Sequence, residues 1–199
     1  FNQNEAPVFL NKEVRLALDT AVDKAAIVDS VLHGFGAALT GPIPPNITPT
    51  SVSSQKIATS SAARLDQART ILTKAGWKMN DTTKIFDNKV GQKTISLSFS
   101  LSTSNAPDLK ATAEALKTQW EKLGAKVDLK IFEPSDLNQN IIRPRKYDAL
   151  LFGEIVGRDL DLFAFWHSSQ RNDPGLNIAL YTNVKADKLL EQARTISDE

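Results

Sequence analysis

The sequence predicts an α/β fold, a mixed and partly parallel sheet flanked by helices. Three observations carry that expectation. Residues 94–103 read TISLSFSLST, where Ile95, Leu97, Phe99 and Leu101 alternate with small polar residues, the period of a strand with one apolar face. Leu109, Ala113, Leu116, Trp120 and Leu123 then follow at spacings of four and three, which puts them on one helical face. Val127, Leu129 and Ile131 alternate again. Strand, helix and strand within about 40 residues form a βαβ unit, whose strands are parallel and whose crossover is almost always right-handed.

The remaining elements attach to this unit. Asn2 to Leu10, with Pro7, reads as extended chain. Asn11 is placed to cap a helix, and Val14, Ala17, Leu18, Ala21, Val22, Ala25, Val28, Val31 and Leu32 recur at helical spacing. Asp23 is placed to cap a second helix after a bend, and His33-Gly34 ends the run. Gly41 to Ser61 contains four prolines and many hydroxyl residues, so it is a loop. It does not divide two domains, because the helical pair before it has no sheet with which to build a core. Ser61 is expected to cap a helix carrying Leu65, Ala68, Ile71, Leu72 and Ala75, stopped by Gly76. Lys84 to Phe86, a turn over Asp87 to Gly91 and the chain from Lys93 resemble a hairpin.

Beyond the βαβ unit, Pro134-Ser135-Asp136 starts a short helix through Ile142 that Pro144 ends. Ala149 to Val156 is nearly continuous in apolar residues, as in a strand buried on both faces. A short helix over Leu160 to Trp166, a strand over Ile178 to Thr182 and a helix over Ala186 to Ile196 complete the chain.

Composition narrows the function. With 24 basic and 23 acidic residues the net charge is +1, which argues against a nucleic-acid surface or a polybasic membrane anchor. No apolar run approaches the roughly 20 residues that span a bilayer. Cysteine is absent, excluding disulfides, thiol catalysis and thiolate metal sites in this chain. The length suits one domain over residues 1–199, and both ends read as cut.

These landmarks line up, in order, with a family. They are Phe1-Asn2; Val14-Arg15 with Ala17-Leu18; Ala21-Val22-Asp23-Lys24; Gly41-Pro42; Ala68 with Ile71-Leu72 and Ala75-Gly76-Trp77. Leu123-Gly124 before Val127, Tyr147-Asp148-Ala149 before Gly153, and Asn177 to Tyr181 before Asp187-Lys188-Leu189-Leu190 continue the series. The chain resembles the C-terminal lobe of family 5 extracellular solute-binding proteins, the peptide-binding subunits of ABC importers. The resemblance implies one lobe of a type II periplasmic-binding-protein fold, with an upstream lobe and a C-terminal tail outside this chain. It implies a periplasmic or extracellular, membrane-anchored protein. Its partners would be a peptide or other small solute, the N-terminal lobe and ABC permease subunits, with no cofactor and no enzyme activity. Two departures stand out. Glu154 follows Gly153 where the family often has Trp, and Gly157 stands about where an acidic residue pairs with the peptide amino terminus; either Asp159 or Asp161 replaces it or the ligand is held differently. Arg64-Leu65 occupies the place of the family's Asp-Pro helix start.

The candidate ligand residues are Glu154, Arg158, Asp159, Trp166, His167 and Asn177. Arg158 and Asp159 follow an expected strand, and ligands of α/β sheets gather at carboxyl ends of strands. The Arg158 fork matches a ligand carboxylate; the competing reading is a surface ion pair. Trp166 and His167 offer an aromatic wall and hydrogen bonding, against ordinary packing. The Asn177 amide suits loop fixation or ligand contact. Asp29 and His33, four apart, make too few ligands for a metal. No Gly-x-Gly-x-x-Gly or Gly-x-Ser-x-Gly occurs. The alternatives are a solute other than a peptide, such as nickel or a sugar, an interaction scaffold, or an α/β hydrolase, which would show a nucleophile hydrogen-bonded to His33 or His167.

Overall fold

In the computed structural model, which describes residues 1–39, 41–42, 60–155 and 161–195, the chain divides into two compact units where one domain over 1–199 was expected. One comprises residues 12–97 and 111–126, the other 1–11, 98–110 and 127–199. The boundaries at 97/98 and 110/111 cut through an alternating run and a helical stripe that are each continuous in sequence. Periodicity therefore gives no sign of them.

In the first unit, α1 (Lys12–Ala21) buries Val14, Ala17, Leu18 and Ala21, the spacing of one helical face. The Asp23 carboxylate caps α2 (Lys24–Val31) by accepting from the Ala26 N–H at 3.1 Å. It also accepts from Ser61 at 3.1 Å and from Arg64 at 2.9 Å. Burial raises its pKa, but these hydrogen bonds outweigh that and hold it below the usual aspartate range. Left-handed His33 and Gly34, at φ 50° and 80°, follow α2. Ser60, one residue before the expected cap, accepts from the Ala63 N–H and opens α3 (Ser61–Lys74), because Ser61 is turned to Asp23. α3 packs on α1 and buries Ala68 and Leu72. Residues 43–59 of the proline-rich stretch lie outside the described residues.

Strands β1 (Lys78–Met79), β2 (Phe86–Val90) and β3 (Lys93–Ser96) form an antiparallel sheet. Val90 pairs with Lys93, so the turn is Gly91-Gln92 and not Asp87 to Gly91. The polar residues after Phe86 hide this strand from a hydrophobic pattern. Helix α4 (Pro107–Leu123) buries Ala113, Trp120 and Leu123, and the Trp120 indole donates to the Leu18 carbonyl at 2.9 Å. Gly124 follows at φ 114°, where a Cβ would lie 2.7 Å from Met79 Cε.

The second unit holds a sheet of order β5-β4-β6, built of β4 (Ser98–Ser104), β5 (Lys126–Phe132) and β6 (Ala149–Leu150). β6 runs parallel to β4, pairing Leu101 with Ala149. Lys126 donates to the Leu97 carbonyl at one end of the β4–β5 pair, and Asn105 donates to the Phe132 carbonyl at the other. The partners rise together in sequence, so this pair is parallel too, and the βαβ unit stands.

The run from Thr94 is not one strand: it breaks at Leu97, with β3 before it and β4 after it. Nor does β4 have one apolar face, for every residue from Phe99 to Ser104 is buried. Hydrogen bonds to the hydroxyls of Ser100, Thr103 and Ser104 offset the cost of burying them. The Asp148 carboxylate accepts from both the N–H and the hydroxyl of Ser100 at 2.8 Å, and Thr103 donates to the Leu151 carbonyl at 2.9 Å. The N-terminal segment is not extended. Asn2 is fully buried, its N–H donating to the Asp148 carbonyl at 2.7 Å, and a 3-10 turn follows over Pro7–Leu10. Phe9 packs between Phe1 and Phe99, with ring centroids 4.6 and 4.9 Å away.

After β5, α5 (Pro134–Asp136) passes into a π-helical turn over Leu137–Ile142. α6 (Phe163–Trp166) and α7 (Val184–Ala193) complete the unit. Two expected strands are absent or cut short. β6 stops at Leu150, and the chain leaves the sheet once Thr103 has taken the Leu151 carbonyl. Ile178 to Thr182 forms no strand, with Leu180 left-handed at φ 53°.

Candidate functional site

Because the three strands of the second unit are parallel, their carboxyl ends, at Ser104, Phe132 and Leu150, share one edge. There the Asn105 amide donates to the Glu133 carboxylate at 2.5 Å. From β6 the chain runs out through Phe152, Gly153, Glu154 and Ile155, all exposed, Ile155 at 95%. The backbone groups of these four residues make no hydrogen bond among the described residues. Glu154 is exposed by surface area, yet partial desolvation of its carboxyl raises its pKa. Arg158 and Asp159 lie outside the described residues.

Trp166, His167 and Asn177 are brought together in the loops around α6 and before α7, and Glu154 has no hydrogen bond or ion pair with them. Asn177 is fully buried. Its amide NH2 donates to the carbonyls of His167 (3.1 Å) and Tyr181 (2.9 Å), and its oxygen accepts from the Tyr181 N–H at 3.0 Å. With its amide so occupied, Asn177 fixes two loop strands. That fixation sets Trp166 edge-on to Tyr181, ring centroids 5.9 Å apart and planes at 79°. Gly175 lies in the same loop, so close to its neighbour that a Cβ would stand 2.2 Å from the Gln170 carbonyl oxygen. Arg145, left-handed at φ 58°, donates to the carbonyls of Ile142, Arg171 and Gly175 beneath the loop. The Tyr147 hydroxyl donates to the Ile178 carbonyl, and burial pushes its pKa up to about 12 against the opposing charge of Arg145.

His167 is buried. Its Nδ1 accepts from the Ser169 N–H at 3.1 Å, so the neutral ring carries its proton on Nε2, which faces Glu191 Oε1 at 3.3 Å. One ring face stacks on Phe163 at 4.1 Å, and the Arg194 guanidinium lies 3.9 Å from the Phe163 ring centroid while pairing with Asp161. Ser169 Oγ stands 2.8 Å from Nδ1, so a hydroxyl does meet His167, the contact a hydrolase would require. The arrangement is nonetheless a helix cap: His167 is the N-cap of the 3-10 turn Ser168–Gln170, and Nδ1 is already engaged by a backbone N–H. The Ser169 hydroxyl also accepts from the Gln170 amide at 3.1 Å. Among the described residues no three His, Cys, Asp or Glu side chains assemble a metal site. His33 stands beyond the end of α2 in a left-handed conformation and does not continue the face that carries Asp29.

Tyr181, Phe163 and the exposed pair Phe152 and Ile155 were not singled out by sequence reasoning. A signal for Tyr181 existed in its position four residues after Asn177, an Asx-type loop spacing. For Phe152 and Ile155 the apolar run pointed the opposite way, to burial.

A family model described as bacterial extracellular solute-binding proteins, family 5 Middle, matches residues 1–177. The oligopeptide-binding protein AppA of Bacillus subtilis is 33% identical over 195 residues, covering 96% of this chain and 34% of its own. The haem-binding protein A of Haemophilus influenzae is 29% identical over 198 residues, covering 97% of this chain and 32% of its own. The structure of AppA in complex with a nonapeptide superposes with a TM-score of 0.84 at 31% identity, over 100% of this chain and 38% of that one. The chain thus spans about a third of the length of these relatives.

Proposed function

The chain belongs to family 5 of the bacterial extracellular solute-binding proteins, and from that membership we propose that the intact protein captures short peptides and hands them to an ABC importer. The observation that carries this reading is the segment Phe152 to Ile155, exposed at the carboxyl edge of a parallel sheet with backbone groups that bond to nothing described. An extended peptide laid beside it can pair its own amides there, whatever its side chains, and rest apolar groups on Phe152 and Ile155. AppA, seen with a nonapeptide, supports the same ligand class.

In this reading Glu154 meets a cationic group of the ligand, an amino terminus or a basic side chain. Trp166, braced by Tyr181, offers an apolar wall. His167 and Asn177 hold that wall in place, and Arg158 and Asp159 are kept as candidates for the ligand's charged ends. The ligand is bound and released unchanged. Closure onto it requires the other lobe of the longer protein, and the closed form is what permease subunits would receive. The protein would work tethered outside the cytoplasmic membrane.

The test is calorimetry of the full-length protein with a mixed pool of short peptides and, separately, with haemin, beside mass spectrometry of co-purifying ligand. Peptide binding at micromolar or lower Kd is expected. Heat from haemin or a metal complex alone, with none from peptides, would overturn the proposal.

A further inference from the structure

His167 ties the second unit together through its backbone and its ring alike. Its carbonyl accepts from the Asn177 amide at 3.1 Å and from the Gln170 N–H at 3.0 Å, and its own N–H donates to the Phe163 carbonyl at 3.0 Å. Trp166 is the preceding residue, so what fixes His167 also fixes the root of the indole. The ring contributes a cap: Nδ1 accepts from the Ser169 N–H at 3.1 Å and so opens the turn Ser168–Gln170. Most capping side chains offer an oxygen that still accepts in mild acid. An imidazole nitrogen instead becomes a donor once protonated. The ring is buried, so it cannot swing into water without leaving its stack on Phe163.

The surroundings give a charged ring partners but leave the amide without one. Ser169 Oγ, 2.8 Å from Nδ1, is an acceptor for a proton placed there, and Nε2 already faces Glu191 Oε1 at 3.3 Å. The charged groups about the ring are Glu191 and Asp187 on α7, with Arg194 and Asp161 paired across Phe163; the loop at Asn177 brings a neutral amide. The Arg194–Asp161 pair is balanced, so the two remaining carboxylates favour the cation. The Ser169 N–H, by contrast, is bonded to Nδ1 and to no other acceptor among the described residues. We propose that His167 is an acid-sensitive positioning residue for Trp166: the neutral ring caps the turn Ser168–Gln170, and protonation of Nδ1 releases the Ser169 N–H and loosens that turn. Its bearing on ligand rests on the proposed function, in which Trp166 is an apolar wall; its test involves no ligand.

The experiment is hydrogen exchange of the full-length protein without ligand, read by mass spectrometry at the Ser169 amide and corrected for the intrinsic pH dependence of exchange. The amides of β4 serve as the reference. Between about pH 8 and about pH 5, the range in which histidines ordinarily change charge, protection at Ser169 is expected to fall roughly tenfold or more while β4 keeps its own. His167→Asn retains an oxygen that can cap the turn and does not titrate, so its profile should be flat. Constant protection in the parent, an equal fall in β4, or an unchanged fall in His167→Asn would overturn the inference. Should His167→Asn fail to fold, Glu191→Gln reads the same group from a side chain that is 61% exposed. Removing that carboxylate disfavours the cation and should move the fall to lower pH by roughly half a unit. A fall that stays in place would assign it to another group and end the inference. Peptide calorimetry on the same sample keeps failure here distinct from failure of the ligand assignment.

Discussion

The Asp187 carboxylate receives both donors of Ser168, the backbone N–H at 2.9 Å and the hydroxyl at 2.7 Å. The backbone bond first, then the hydroxyl, holds the Asp187 carboxyl below its usual pKa. A carboxylate depressed in the folded state adds stability above its unfolded pKa, near about 4, and loses it as pH falls through the folded value. Asp187→Asn should therefore lower Tm at pH 7, and the gap to the parent should close as pH falls below about 4. Thermal melts across that range test it; a gap independent of pH would contradict it.

Asn177→Ala should be among the costlier substitutions of the second unit. It strands the Tyr181 N–H and removes a donor from two carbonyls at a fully buried site. A loss of about 3 kcal/mol is expected in urea unfolding. Asn177→Asp should recover little, because a carboxylate would face both carbonyls.

Gly124→Ala places a methyl 2.7 Å from Met79 Cε at a φ of 114°. It should cost about 1–3 kcal/mol from backbone strain and overpacking combined. Met79→Ala in the same chain should return only the Met79 share of the overpacking, since Phe86 Cδ2 also lies 3.0 Å from the added methyl, and a double-mutant cycle measures that share.

Tyr147 gives an alkaline signature. Its phenol is pushed up to about 12 by burial. Since the unfolded chain ionises near pH 10, stability from this group should fall as pH rises from about 10 through about 12. Tyr147→Phe should be less stable at pH 7 by about 1 kcal/mol, for the lost bond to Ile178, and should not show that alkaline loss.

Under the proposed function, Glu154 carries an acid signature in binding. Desolvation raises its carboxyl, so its charge is lost at higher pH than for an ordinary glutamate. Affinity for peptides with a free amino terminus should weaken as pH falls through that raised value. Glu154→Gln should bind more weakly at pH 7, with a flatter profile, and be at least as stable as the parent, because the fold disfavours the charged form.

Much of the first unit and the βαβ crossover was legible because each depends on local period. Val14, Ala17, Leu18 and Ala21 announce α1, and Asp23 announces its neighbour's cap. The misses share another cause. Leu97 belongs to the alternation on both sides of it, so no pattern marks where β3 yields to β4. Ser100 and Ser102 read as a solvent face, yet both are interior, the Ser100 hydroxyl satisfied by Asp148. The run from Ala149 to Ile155 is apolar but for Gly153 and Glu154, and composition does not distinguish core from exposed surface. At the candidate site, Trp166 and Asn177 stand out in the sequence by residue type, but the amide's three bonds come from residues up to ten positions away. The alternation over Ile178 to Thr182 gave no warning that Leu180 would turn left-handed.

Gly175 leaves evolution no room to manoeuvre. The Gln170 carbonyl oxygen lies where even the smallest side chain would have to begin. Any replacement there must redraw the path of the whole bend, and with it the bearing of the aromatic pair that the bend supports. Diversification of ligand preference in such a scaffold is therefore steered toward the protruding residues on either side, where exchange leaves the frame intact.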